Sequence, residues 1–292
     1  MSRLSGARVL VTGAAGQLAS AIIADFGDAT VIGHTRATLD ITDLAAVMRA
    51  VTAAAPDVII NCAAFNDVDG SEERPVDALA VNAFAVRNLA RAAEVTGATV
   101  VHYSSDFVFD GTGDRPYVED DAPSPRSSYA ASKLLGEWFA AEAPRAYVLR
   151  VESLFGSPQG WTGRRGSLDA IVDGLQHGRD VRVFVDRVVS PAYVVDIASA
   201  TRHLLSSDAP AGVYHCVNAG HATWHDVAAE AARLLRVEPR LVGMTLADMP
   251  LRAERPRFCA LDTRKLAGTG FTMPPWQDAL RRWLEARVVA SA

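Results

Sequence analysis

Lysine is almost missing from this chain. Of its 29 basic residues, 27 are arginine and only Lys133 and Lys265 are lysine. A GC-rich coding sequence produces that bias, and it makes each surviving lysine worth asking about. Cysteine is scarce too: Cys62, Cys216 and Cys259 are odd in number, far apart and never spaced CxxC. That excludes a disulfide framework and a thiolate metal site, and suits a reducing, cytoplasmic setting. A basic excess is lacking, with 34 acidic residues against 29 basic and a net charge of −5. Phosphate neutralisation by a nucleic-acid binder needs the opposite balance. No run of about 18 apolar residues is present to span a membrane. The opening Met1-Ser2-Arg3-Leu4-Ser5 leads straight into an apolar strand, without a signal-peptide pattern. What the chain does have is bulk: 292 residues, 49% hydrophobic and 22% charged, enough for a large core shared by about two lobes.

The first half alternates two periodicities. Short β-branched runs at 8–12, 30–33, 57–61, 99–103 and 146–151 are separated by helical patterns at 17–26, 44–55, 76–95 and 129–141. Continuous apolar strands between helices predict a doubly wound α/β fold, a parallel sheet covered on both faces. Its ligand crevice lies at the carboxyl ends of the strands. From Gly156 onward Gly, Pro and Arg become frequent, and elements alternate less regularly. The expected division is a dinucleotide-binding unit over 1–155, completed by about 189–217, and a smaller, discontinuous α/β substrate lobe over 156–292. Thr223 to Asp226 reads as an N-cap opening one helix of that lobe, and 278–288 as a closing helix.

Residues 9–19, VLVTGAAGQLA, place two glycines three apart where a strand turns into a helix. Gly13 permits the tight turn and Gly16 lets backbone approach a pyrophosphate, whose charge meets the N–H groups of the helix start. Ala19 stands where a third glycine is usual and is still small enough for close packing. A site for NAD usually carries an acidic residue at the end of the second strand to hold the ribose 2′-hydroxyl. Here the chain reads Gly33-His34-Thr35-Arg36, and Arg36 is available for a 2′-phosphate. The reading favours NADP(H), with NAD(H) as the alternative. Asp40 either caps the next helix or reaches the adenine end.

Ser104 and Ser105 end the fourth strand, at the crevice. Tyr129 and Lys133 stand four apart at the start of a helix and share one face. Reducing a ketone requires a proton donor beside the carbonyl oxygen. A tyrosine titrates near 10 unless a neighbouring ammonium lowers it. Lys133 can supply that charge and also bond a nicotinamide ribose, and Ser105 can hold the carbonyl oxygen. By chance, six tyrosines and two lysines over this length give only roughly 0.04 Tyr-x-x-x-Lys pairs, a low false-positive rate for a motif.

Other groups read more blandly. Arg164, Arg165, Arg182, Arg187, Arg252, Arg255 and Arg257 could clamp a diphosphate, but for any one of them ordinary surface charge is the default. The seven histidines lack metal-ligand spacing, so no metal is expected. Asp67 and Asp69 lie beside the crevice, and 119–121 reads as a solvated acidic loop. Trp138 and Phe139 belong to the core or to the face of a homodimer.

Taken together, these motifs resemble the extended short-chain dehydrogenase/reductase superfamily, and within it the dTDP-4-dehydrorhamnose reductases and their sugar-nucleotide relatives. The similar blocks are 12–18 (TGAAGQL), 39–43 (LDITD), 56–64 (PDVIINCAA), 68–69, 81–83, 104–111 (SSDFVFDG), 129–137 (YAASKLLGE), 190–196 (SPAYVVD), 255–256 and 261–263. The resemblance implies a Rossmann sheet and reduction of a 4-keto-6-deoxyhexose on a nucleoside diphosphate. It also implies a catalytic triad of Ser105, Tyr129 and Lys133. Gly16, Gln17, Leu18, Asp40, Ile41, Ala63 and Ala64 would line the cofactor, and Val68, Ser105 and Tyr129 would face the sugar. Three positions depart from the family pattern. Ser105 stands for threonine, Phe107 for a tyrosine and Ser153 for a tryptophan, so a polar contact and a stacking ring are gone from the sugar side. Two rival readings accompany the reductase. A sugar-nucleotide epimerase or dehydratase commonly adds a carboxylate pair beside the tyrosine block, where Asp106 followed by Phe107 offers one. A non-catalytic regulatory subunit would keep the fold and bind dinucleotide without turnover.

Overall fold

The computed structural model describes residues 4–156, 166–207 and 209–289. Its centre is a six-stranded, wholly parallel sheet. The first half supplies β1 (Arg8–Thr12), β2 (Thr30–His34), β3 (Val58–Asn61), β4 (Thr99–Ser105) and β5 (Arg145–Val151). The helices between them are α1 (Gln17–Asp25), α2 (Leu44–Ala54), the short α3 (Gly70–Glu73) and α4 (Pro75–Leu79), α5 (Ala85–Thr96) and α6 (Ser128–Ala140). The second half adds β6 (Leu154–Phe155), α7 (Ser167–Gln176), β7 (Val181–Phe184), β8 (Val188–Val189), β9 (Ala192–Tyr193), α8 (Val194–Ser206), β10 (Gly212–His215), β11 (Ala222–Thr223), α9 (Trp224–Leu235), β12 (Leu241–Met244), α10 (Arg264–Ala267) and α11 (Trp276–Val289). Strand order is β10-β5-β4-β3-β1-β2, so the winding reverses at β1 and opens a crevice between the carboxyl ends of β1 and β3.

Side-chain alternation explains the layers. Val9 and Val11 face the cluster under α1 and α8, whereas Leu10 and Ile59 face α2 and α5. Both faces are apolar, as a sheet buried on two sides requires. Edge strand β10 pairs with β5, and α8 packs on α1, so residues far along the chain return to the first sheet. A separate hydrophobic cluster joins α7, α9 and α11 around Val172, Val227, Leu280 and Trp283. The Thr223–Asp226 box caps α9 reciprocally, as its sequence predicts.

The predicted single helix over 76–95 is broken. Residues Ala80–Phe84 form a wider π turn between α4 and α5. Asn82 there turns its amide to both backbone groups of Phe65, at 2.7 and 3.1 Å, and to Ser132 at 3.0 Å. Gly136 of α6 crosses so closely that a Cβ would overlap the Asn82 carbonyl oxygen. The widened turn therefore ties the loop after β3 to α6, a tertiary demand that helical periodicity does not encode.

Candidate active site

Ser105 is the last residue of β4, and its Oγ accepts from the Phe107 N–H at 3.2 Å while donating to Asp106 Oδ1 at 2.8 Å. Helix α6 begins at a Ser127 cap, whose Oγ accepts from the Ala130 N–H. Two and six residues later, Tyr129 and Lys133 point inward, both buried. Tyr129 stands beside Ser105, and its ring meets the edge of Phe107 at 5.5 Å. The pair at i, i+4 thus shares one face, as expected, and Lys133 reaches back to β4. Its Nζ donates to the Tyr103 carbonyl at 2.5 Å, and burial pushes it down to about 8. Burial and the Asp106 carboxylate push Tyr129 up to about 12, against the Ser105 hydroxyl and the Arg255 guanidinium. The phenol is therefore held protonated, ready to donate rather than to be ionised.

These groups open into a cavity of about 520 Å³. Gly16, Gln17, Leu18, Ala63 and Ala64 line it together with Val68, Ser105, Phe107, Tyr129, Lys133 and Ser153. Gly13 sits at φ +67°, and a Cβ on it would lie 2.7 Å from the Ala63 nitrogen and 2.8 Å from the Cys62 carbonyl carbon. The turn after β1 thus presses bare backbone against the chain leaving β3. Helix α1 starts at Gly16 with no side-chain cap, leaving its N-terminal end facing the cavity. That cradle fits a dinucleotide pyrophosphate. Arg36, Asp40 and Ile41 do not line the cavity. They follow β2, where Arg36 is exposed, Asp40 Oδ1 accepts from the Thr42 N–H and hydroxyl, and Ile41 packs inward. Asp40 does not cap α2; Asp43 does, accepting from the Ala46 N–H at 3.1 Å.

Several residues of the site were not legible beforehand. Thr12 donates to Asn61, Asn61 bonds His102 at 3.1 Å, and Asn61 also accepts from the Ala63 N–H, a buried chain that sets the cavity floor. Among the arginines, Arg187 and Arg255 are not surface charge. Both line the cavity and both stand over the Phe107 ring, at 5.4 and 5.9 Å. Arg255 also pairs with Asp69 at 2.9 Å. Arg252 and Arg257 are exposed and paired with Glu73 and Asp186, and Arg182 is exposed; Arg164 and Arg165 lie outside the described residues. The 119–121 loop is not merely solvated: Glu119 accepts from the His215 N–H, and Asp121 takes a bidentate bond from Arg115. Trp138 is not core, being 63% exposed. Ser153, where the family pattern has a tryptophan, adopts φ +45° at the cavity wall.

Among curated proteins, the dTDP-4-dehydrorhamnose reductase of Streptomyces griseus is 36% identical over 296 residues, covering 98% of this chain and 93% of that one. A probable dTDP-4,6-dihydroxy-2-methyloxan-3-one 4-ketoreductase of Streptomyces antibioticus is 34% identical, covering 94% and 93%. Among solved structures, the dTDP-4-dehydrorhamnose reductase of Bacillus anthracis in complex with NADP superposes with a TM-score of 0.90 at 28% identity, over 96% of this chain and 99% of that one. A family model described as the RmlD substrate binding domain matches residues 7–289, nearly the whole chain, and the chain belongs to that family.

Proposed function

We propose that this chain is an NADPH-preferring reductase of a 4-keto-6-deoxyhexose carried on a nucleoside diphosphate. The carrying observation is the convergence of Ser105, Tyr129 and Lys133 on the same cavity as the Gly16 turn. Its relatives named as dTDP-linked ketoreductases support the reading. Gly13, Gly16, Gln17, Leu18, Ala63 and Ala64 hold the dinucleotide, Asp40 and Ile41 serve its adenosine end, and Arg36 meets the 2′-phosphate. A nicotinamide held there would supply the hydride for the ketone carbon. Tyr129 gives its proton to the carbonyl oxygen, Ser105 holds that oxygen by its hydroxyl, and Lys133 bonds the ribose. Val68, Phe107 and Ser153 face the sugar. A neighbouring concavity of about 420 Å³ shares Ser167, Arg187 and Trp224 with the active cavity and adds Arg182. It receives the nucleoside diphosphate.

The organisation proposed for this chemistry is a dinucleotide unit over 1–155, completed by 189–217, and a substrate lobe over 156–292. Val76, Phe84 and Trp138, all more than half exposed around α4 and α6, form the face of a homodimer. Among the described residues no helix is long and apolar enough to cross a membrane. Three free thiols suit a cytoplasmic setting without membrane or nucleic-acid partners. A second carboxylate, Glu152, stands near Asp106, as an epimerase or dehydratase reading would want. Both line the cavity, with one Glu152 oxygen taken by the Ser190 N–H and the other buried.

The test follows NADPH and NADH absorbance with dTDP-, UDP- and GDP-linked 4-keto-6-deoxyhexoses. The wild type oxidises NADPH with one of them, and Tyr129→Phe lowers kcat by about 10²–10⁴-fold, the usual contribution of a general acid. Dinucleotide binding without turnover on any substrate would replace the reductase by a regulatory subunit.

A further inference from the structure

Three buried groups beside the tyrosine are not used in that chemistry. Asp106, Glu152 and Cys259 each bring one polar atom within 4.8 Å of the others, and all three residues are almost fully buried. Asp106 arrives from the end of β4 and Glu152 from the end of β5, while Cys259 precedes α10. Asp106 Oδ1 is occupied by the Ser105 hydroxyl and Glu152 Oε2 by the Ser190 N–H, at 2.8 and 2.7 Å. The remaining oxygens, Asp106 Oδ2 and Glu152 Oε1, are buried and unpartnered by geometry among the described residues, as is the Arg187 Nε, and the Cys259 thiol stands beside both carboxyls. Two orphaned acceptors in one pocket are costly unless something sits between them.

The charges around the pair decide what that is. Among the described residues, Arg187 is the one guanidinium that acts on both carboxyls; Arg255 acts on Tyr129 and pairs with Asp69. One cation offsets one carboxylate, leaving a second negative charge uncompensated in a buried site. A divalent metal would place a second cation beside Arg187, whose Nη2 already lies 3.9 Å from Cys259 Sγ, and that thiol donates to the Pro256 carbonyl. A proton needs no such room. We infer that Asp106 and Glu152 hold one proton between them, Oδ2 to Oε1, and that this shared proton sets the charge next to Tyr129. Burial raises both carboxyls above their ordinary range, and the Asp106 charge raises Glu152 further.

Glu152 is thereby a positioning residue for proton transfer, a role that rests on the reductase reading above. While the proton is present, the pair carries one negative charge, offset by Arg187. When it leaves at alkaline pH, Asp106 and Glu152 are both ionised, the phenol beside them holds its proton more tightly, and donation to the carbonyl oxygen slows.

Glu152→Gln is the discriminating variant. Its amide oxygen can still accept from the Ser190 N–H, and its NH₂ can donate permanently to Asp106 Oδ2, so the fold keeps its contacts while the titration is removed. Infrared spectra of the full-length chain at neutral pH are expected to show a protonated-carboxyl band in the wild type that is absent from both Glu152→Gln and Asp106→Asn. In the kinetics, the alkaline limb of wild-type kcat contains a titration of the pair that Glu152→Gln lacks, so the variant keeps only the limb set by Lys133 and its alkaline limb is displaced from that of the wild type. A wild type that turns over without the band, an unchanged alkaline limb in Glu152→Gln, or one equivalent of bound metal in the purified chain would each overturn the inference. A wild type that shows the band but reduces no sugar nucleotide sinks the reductase reading and leaves the shared proton standing.

Discussion

Replacing Gly13 by alanine isolates the close approach on which the dinucleotide turn depends, provided Gly97→Ala is made beside it. Both glycines are in the left-handed region, at φ +67° and +72°. Either substitution therefore costs about 1–2 kcal/mol of backbone strain. The surroundings differ. At Gly97, which ends α5, nothing lies within 4 Å of the added Cβ, whereas at Gly13 the methyl would stand 2.7–2.8 Å from Ala63 and Cys62 backbone atoms. Backbone leaving a central strand cannot yield as a flexible side chain can, so Gly13→Ala should lose a further ~1–3 kcal/mol to overpacking. The expected totals are about 2–5 kcal/mol at Gly13 against about 1–2 at Gly97. Urea titrations read as changes in midpoint at constant slope measure both. Relief of the overlap must separate the β1 turn from the chain after β3, so dinucleotide affinity, followed by fluorescence titration, should fall in Gly13→Ala and stay put in Gly97→Ala. Equal midpoint shifts in the two variants would refute the reasoning, because strain alone would then account for both.

Two further outcomes follow from buried charge. Arg150 and Glu137 form a bidentate pair at 2.8–2.9 Å with side chains only 4% exposed. Glu137→Leu should cost about 3–5 kcal/mol by stranding the guanidinium, and Arg150→Met added to it should recover much of that loss in a urea titration. His215 is pushed down to about 3, by burial first and by Arg150 second. Its folded value is below the unfolded one of about 6.5, so the unfolded chain binds more protons between pH 3 and 6.5 and stability falls as the solution is acidified through that window. Comparing urea midpoints at pH 7 and pH 5, the wild type should lose about 1–2 kcal/mol more than His215→Asn. An equal loss in both would assign the acid sensitivity elsewhere.

What could be read from the chain alone is what is local. The glycines of residues 13–16 announce a turn because left-handed backbone and bare approach are properties of the residue itself. Tyr129 and Lys133 share a face because the helix repeat dictates it, and the alternation of strand and helix patterns implies a parallel sheet before any pairing is known. Only the tertiary structure could decide what those side chains meet. The Lys133 ammonium meets the Tyr103 carbonyl of β4, thirty residues away in sequence. The helix expected over 76–95 opens at Ala80–Phe84 because Asn82 answers to Phe65 and α6 crosses at Gly136. Arg187 read as an ordinary surface charge, yet the return of the chain through β8 and β9 brings it to Asp106, beside Glu152 at the end of the adjacent strand. Charge, burial and the state of a proton are sums over neighbours distant in sequence, and no periodicity carries them.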